Sequence, residues 1–65
     1  MKLNKAAIDL LRAKQCIMLD ELAGMAKVSK STICKGYTRD IDPLPVGKIA
    51  RALNASVEDI IVKEE

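Results

Sequence analysis

Two short segments with helical signals lie only about three residues apart near the middle of the chain. The first, residues 19–26, opens with two acids, which favour a helix N-terminus, and places apolar residues on one side. Ser29 is a typical N-cap for a second helix of about residues 30–35, with Gly36 near its end. Helices joined so closely cannot lie antiparallel around a shared core, so we expect them to cross steeply.

Three further helices are predicted around this pair. Asn4 is suited to cap a helix over residues 5–15, and Pro45 can occupy the first turn of a helix over residues 45–53. Ser56 is suited to open a short last helix. The clearest amphipathic pattern in the chain comprises Val46, Ile49, Ala50 and Leu53. We therefore predict a compact, all-α fold of five helices.

The length and the apolar composition agree with such a fold. At 65 residues the chain is predicted to form a single domain over residues 1–65, because a core of this size buries only about 60% of the unfolded surface. Hydrophobic residues make up 49% of the sequence, with one Tyr and neither Trp nor Phe. A core of Leu, Ile, Val, Ala and Met suits packed helices better than sheets.

The residue types argue against catalysis, metal binding and membrane insertion. The chain has no His, and no Ser is paired with a candidate base, so we expect neither an enzyme nor a bound cofactor or metal. Cys16 and Cys34 are interpreted as free thiols, with an intermolecular disulfide or redox sensing as the alternative. The absence of a long apolar run or a signal-peptide pattern predicts a cytoplasmic protein with no membrane partner. No small-molecule ligand is expected.

The charges are distributed unevenly along the chain. Residues 27–36, KVSKSTICKG, contain three lysines and three hydroxyl side chains without an acid. Extended to residue 39, the stretch carries four cations, whereas residues 56–65 carry a net charge of −3. A basic face combined with an acidic end could steer the protein toward a polyanion such as nucleic acid. The alternative for any charge cluster is an ordinary solvated helix face.

Two segments resemble the lambda-repressor-like family of Cro and repressor type. LDELAGMAKVSKSTICK is similar to the family's helix-turn-helix motif, here at about residues 19–36, and KIARALNASVEDII is similar to its fourth and fifth helices. The resemblance spans roughly residues 8–61. The matching core and capping positions are Leu22, Ala23, Val28, Ser29, Thr32, Ile33, Ile49, Ala50, Ala52, Leu53, Val57, Ile60 and Ile61. It implies a compact five-helix domain whose third helix enters the DNA major groove.

The same resemblance implies which residues contact DNA. Base edges would be contacted by Lys30, Ser31, Cys34 and Lys35. Lys can donate to guanine and Ser can bond to either kind of base, whereas Cys34 would either touch a thymine methyl or serve packing. Phosphates would be contacted by Lys14, Lys27, Thr32 and Arg39. The backbone N–H groups at the start of the second helix would add to these phosphate contacts.

Five positions depart from the family pattern. Lys27 replaces the usual turn glycine, so a residue with a Cβ is expected to adopt a positive φ at a cost of about 1 kcal/mol. Leu19 stands where a phosphate-binding Gln is common, and Met18 replaces its hydroxyl N-cap, which predicts weaker clamping of the DNA backbone. Gly36 occupies a usual apolar anchor position. Tyr37 replaces a glutamate that often pairs with the arginine of helix one, and it is the expected substitute anchor.

Together these features predict a sequence-specific transcriptional regulator, a Cro-like repressor of phage, mobile-element or bacterial origin. It would bind double-stranded DNA as a symmetric homodimer and be nucleoid-associated when bound. The candidate dimer surfaces are a stripe of Leu3, Ala7 and Leu10 and, preferred, Val57 with Val62; either set could instead complete the core. The alternative function is a protein-interaction module on the same fold, antirepressor-like or antitoxin-like, with weak or no DNA binding.

Overall fold

Five helices form within residues 1–62, the part of the chain that our computed structural model describes. They are α1 Lys5–Gln15, α2 Leu19–Ala26, α3 Lys30–Thr38, α4 Pro43–Ala52 and α5 Val57–Ile60. The extended pairing described in this part of the chain is a single antiparallel bridge between Leu3 and Ile61. The prediction of an all-α fold is therefore confirmed. Residues 63–65 of the predicted domain lie outside the described residues.

The predicted caps explain where the helices begin. Asn4 precedes α1 and its side-chain oxygen accepts a hydrogen bond from the Ala7 N–H at 3.2 Å. Ser29 does the same for α3, accepting from the Thr32 N–H at 3.0 Å. Ser56 precedes α5 in an extended conformation, as its predicted capping role requires. Each side-chain oxygen that accepts in this way satisfies an N–H that has no partner within its own helix.

Two helix boundaries differ from the prediction. α3 does not end near Gly36 but continues through it to Thr38, because Gly36 is buried and the packing there outweighs the low helix propensity of glycine. α4 begins at Pro43 rather than Pro45 and ends at Ala52. Both prolines fit the first turn of α4, where the N–H groups that they lack would have no intrahelical partner.

The core is aliphatic and lies between the helices. α2 packs against α3 and α4, while α5 packs against α1 and α4. The buried hydrophobic residues are Leu3, Ile8, Leu22, Ala23, Ala26, Ile33, Val46, Ile49, Ala50, Leu53 and Ile60. The radius of gyration of 10.3 Å agrees with the value of about 11 Å expected for a compact chain of this length. The core thus contains the predicted Leu, Ile, Val and Ala, but the expectation that Met would contribute was wrong, since Met1, Met18 and Met25 are all exposed.

The segment at residues 1–4 lies between the end of α3 and the end of α5. The Leu3 N–H donates to the Gly36 carbonyl at 2.7 Å, and the Asn4 N–H donates to the Ile60 carbonyl at 2.8 Å. The Leu3 side chain is fully buried. This segment therefore satisfies a carbonyl in the last turn of α3, a position that has no intrahelical donor.

The two apolar stripes considered as dimer surfaces are only partly exposed. Leu3 precedes α1 and completes the core, whereas Ala7 is half-buried and Leu10 is 58% exposed. In the second set, Val57 packs at the edge of the core and Val62 is exposed. The first stripe thus divides between the core and the surface.

The contact between Leu3 and Gly36 leads to a stability prediction. A Cβ added at Gly36 would lie 2.6 Å from Leu3 Cδ1 and 2.8 Å from Leu3 Cγ, so the buried Leu3 side chain would have to shift within the core. Overpacking of this kind costs about 1–3 kcal/mol. We expect Gly36→Ala to lower the free energy of unfolding in urea by that amount.

The matched control is Gly24→Ala in α2. Gly24 also lies within a helix but is exposed, and a Cβ there meets nothing within 4 Å. We expect this variant to raise the free energy of unfolding by about 0.5–1 kcal/mol through helix propensity alone. Equal effects of the two substitutions would contradict the close packing of Leu3 on Gly36.

Candidate nucleic-acid interface

α3 has one buried side and one exposed side. Ile33 and Gly36 face the core. Lys30, Ser31, Cys34 and Lys35, the four predicted base contacts, are all exposed. At 100° per residue these four positions span about 140° of the helix surface, with Ser31 and Lys35 opposite Ile33 and Lys30 nearest to the buried side. The structure therefore brings the predicted base-contact residues together on a single surface, which we call the α3 face.

Thr38 belongs to the same face but was not predicted. It is exposed and lies one turn after Cys34, and its hydroxyl donates to the Lys35 carbonyl at 3.2 Å. The sequence analysis missed it because Gly36 was interpreted as the end of the helix. No local signal corrects this reading, since the burial of Gly36 depends on Leu3, a residue distant in sequence.

The turn between α2 and α3 consists of residues 27–29. Lys27 has φ 56° and ψ 41°, the left-handed conformation that was expected of the residue replacing the turn glycine. The Val28 N–H donates to the Ala23 carbonyl at 3.1 Å, which closes the end of α2. The strained residue thus allows α3 to begin directly after this turn.

The predicted phosphate contacts are less closely grouped. Lys27 precedes α3 and Arg39 follows it, so these two exposed cations flank the α3 face at its ends. Lys14 is exposed in the last turn of a different helix, α1. Thr32 is half-buried, and its hydroxyl lies 2.7 Å from the Ser29 hydroxyl. Thr32 therefore also takes part in the cap of α3.

The start of α2 supplies its own acceptor. The Met18 N–H donates to the Glu21 carboxylate at 3.0 Å, whereas the thioether of Met18 is only a weak acceptor and does not replace a hydroxyl cap. Leu19 packs partly against the core. The Met18 N–H, one of the backbone N–H groups expected to bind phosphate at the start of α2, is thus already hydrogen-bonded within the chain. Weaker contacts to the DNA backbone were predicted at this helix start.

An ion pair joins α2 to the α3 face. Lys30 Nζ lies 2.8 Å from Asp20 Oδ1, and both side chains are exposed. The hydrogen bond to Asp20 and the charge of its carboxylate raise the pKa of Lys30 above the ordinary value of 10.5. The ammonium of a predicted base contact is therefore oriented by an acid from the preceding helix.

Tyr37 stands at the position where the proteins that the sequence resembles often have a glutamate, and it packs against the core. The Tyr37 ring is half-buried against the core, and this burial, together with the charge of Asp9, raises the pKa of its hydroxyl. Arg12, the arginine of helix one in that comparison, is not paired with residue 37. Its Nη2 atom lies 4.0 Å from Asp9 Oδ1 within α1. Lys5 Nζ is 5.9 Å from the centroid of the Tyr37 ring. Leu3, rather than Tyr37, fills the space beside Gly36.

The cysteines and acids of residues 1–62 form no metal site. Cys16 and Cys34 are free and exposed. Within residues 1–62, no cluster of three or more His, Cys, Asp or Glu side chains could hold a metal ion. In the same range, none of the helices has the length and the apolar character needed to cross a bilayer.

Comparisons with known proteins do not assign the chain to a family. The scan against protein-family models found no match. The searches of curated proteins and of solved structures found none either.

The left-handed conformation of Lys27 makes a prediction about the turn. A Cβ in this region costs about 1–2 kcal/mol, part of which is offset by the greater flexibility of glycine in the unfolded chain. We expect Lys27→Gly to raise the free energy of unfolding in urea by about 0.5–1 kcal/mol. Lys27→Ala, which keeps the Cβ, is the control and should give no gain. Destabilisation by the glycine variant would contradict the strain.

The pair of Lys30 and Asp20 makes a prediction about titration. Because the folded-state pKa of Lys30 is raised, the pair contributes stability below pH 10.5, and this contribution is lost as the pH rises through the folded-state pKa. We expect Asp20→Asn to lower the pKa of Lys30 toward its ordinary value, as measured by NMR titration of the Lys30 side chain. Glu21→Gln should leave it raised. An unchanged pKa in Asp20→Asn would show that the pair is absent in solution.

Proposed function

We propose that this chain is a sequence-specific DNA-binding transcriptional regulator, a Cro-like repressor that reads the major groove with α3. The supporting observation is the α3 face. One side of a short helix is anchored in the core by Ile33, while the other side presents lysines and small polar residues without an acid in the helix. The three-residue connection to α2 makes the pair a helix-turn-helix unit in this proposal, as in lambda-repressor-like proteins.

The chemistry of the α3 face suits base edges. Lys30 and Lys35 can donate to guanine O6 and N7, and Ser31 can donate to or accept from either kind of base. Cys34, at the same surface, is small enough to approach a thymine methyl. An α-helix fits into a groove about 12 Å wide, so these side chains would reach the bases together.

The cations around the α3 face suit the DNA backbone. Lys27 and Arg39 flank α3, and Lys14 and Thr32 complete the proposed phosphate contacts. Glu58 and Asp59 are exposed on α5, at the other end of the chain. Such an asymmetry would favour encounter with DNA through the basic side, with an association rate that falls as salt increases.

A symmetric homodimer belongs to the same proposal. A single small domain makes few base contacts, and two copies reading half-sites about one DNA turn apart would provide the missing selectivity. Val62, which is exposed, and Val57, which packs partly against the core, are the residues of the proposed dimer surface.

A second candidate function is a protein-interaction module on the same fold, antirepressor-like or antitoxin-like. Exposed apolar side chains favour it. Met18, which precedes α2, is 65% exposed, Met25 on α2 is 52% exposed, and Leu44 on α4 is 69% exposed. Flexible methionines are frequent on surfaces that bind proteins. In this alternative the chain would bind DNA weakly or not at all.

Affinity selection from random duplex DNA tests the main proposal. The full chain would be incubated with the library at about 0.15 M salt, which screens weak non-specific binding. We expect enrichment of a motif with two inverted half-sites. Failure to enrich any motif would contradict the proposal and favour the protein-interaction module.

Charge removal on the α3 face tests the assignment of the helix. Lys30→Gln with Lys35→Gln removes two proposed base contacts without placing a second carboxylate beside Asp20, and we expect at least about a 100-fold loss of affinity for the selected site. Lys48→Gln with Arg51→Gln removes the same charge from exposed positions on α4. This control should lose only a few-fold, so equal losses in equilibrium titrations would contradict a recognition role of α3.

A further inference from the structure

An acid of α2 stands beside the proposed recognition surface. Asp20 lies in the first turn of α2 and Lys30 in the first turn of α3, and their side chains meet at 2.8 Å across the connection between the helices. α3 itself contains no acid. Among residues 1–62, Asp20 is therefore the carboxylate that neutralises a cation of the α3 face.

The position of Asp20 weakens the electrostatic attraction between the α3 face and DNA. An exposed carboxylate next to a DNA-binding surface repels phosphates, and pairing Lys30 removes about one positive charge from the non-specific attraction. An unpaired lysine has a flexible four-carbon stem and acts as a mobile point charge that can reach phosphates in many ways. The pair reduces this freedom.

The geometry of the pair leaves the lysine able to read a base. An ammonium has three donors, and the bond to Asp20 uses one of them. The remaining two can reach guanine O6 and N7, which are neighbouring acceptors on one base edge. An ammonium held in one direction pays less entropy for this contact than a free one.

We propose that Asp20 is a specificity-determining residue, which orients Lys30 toward a base edge and opposes the use of that lysine as a phosphate contact. This inference rests on the proposed DNA-binding function. It predicts that Asp20 lowers the affinity for random DNA while raising the ratio of specific to random binding.

The test compares two neutralising substitutions in the same helical turn. Asp20→Asn removes the ion pair that holds Lys30 and leaves only a neutral amide oxygen beside it. Glu21→Gln removes the same charge and keeps an oxygen that can accept from the Met18 N–H. Each full-length variant is titrated with the selected duplex and with a random-sequence duplex over a series of salt concentrations.

We expect Asp20→Asn to tighten binding to random DNA by about ten-fold and to steepen the salt dependence by about one phosphate contact. The ratio of specific to random affinity should fall by about ten-fold. Glu21→Gln should change both affinities by a similar few-fold factor and leave the ratio unchanged. Equal changes in the two variants would show an effect of net charge alone and overturn the proposal.

A variant that lacks Lys30 shows whether Asp20 acts through that lysine. With Lys30→Met present, Asp20→Asn should no longer change the ratio of specific to random affinity. A persistent change would mean that Asp20 acts directly on DNA, and this result would also overturn the proposal.

The outcomes separate this inference from the function on which it rests. If the wild-type chain enriches no motif, the sequence-specific DNA-binding function fails and the role of Asp20 fails with it. If a motif is recovered but Asp20→Asn leaves the affinity ratio unchanged, only the role of Asp20 is overturned.

Discussion

The contact between Leu3 and Gly36 is the interaction on which the rest of the structure depends. α3 has nine residues and is too short to be stable in isolation, so its orientation comes from what it packs against. The Leu3 side chain occupies the space that a Cβ at Gly36 would fill, and the Leu3 N–H bonds to the Gly36 carbonyl. A bridge from Leu3 to Ile61 ties the same segment to the end of α5. The amino-terminal residues thus connect α3 to the far end of the chain.

The acids at the start of α2 have two separate roles. Glu21 accepts from the Met18 N–H, which is the half of a capping box in which the third residue of the helix satisfies the N–H of the capping residue. Asp20 instead pairs with Lys30 on the α3 face. Both acids lie in the first turn, where the helix dipole also favours negative charge. Met18 and Leu19 are the positions at which the sequence departs from the pattern that it otherwise resembles. At this helix start, acids of the chain itself interact with the Met18 N–H and with the helix dipole. In our proposal, selectivity then depends on α3 rather than on a strong phosphate clamp at α2.

The sequence was sufficient to predict which residues lie on the α3 face. It was not sufficient to predict which residues of other helices they contact. Lys30, Ser31, Cys34 and Lys35 share an exposed face because helical periodicity places them within one arc of α3 that excludes the buried Ile33 and Gly36. The left-handed conformation of Lys27 was expected from the resemblance, in which a glycine usually stands at this position of the turn. The pair of Asp20 and Lys30 could not be predicted, because it depends on how the two helices cross. Thr38 was missed because the end of α3 was placed at Gly36.

The sequence by itself determined the class and order of the helices, because caps such as Asn4 and Ser29 and the apolar spacing of α4 act within a few residues of each other. Only the tertiary structure decided where α3 ends. Glycine has low helix propensity, and the compensating contact comes from Leu3, more than thirty residues away in sequence. The tertiary structure likewise decided that Leu3 belongs to the core and Leu10 to the surface, although both fit one stripe. Local signals set the helices, whereas burial and charge pairing depend on residues that meet only after the chain has folded.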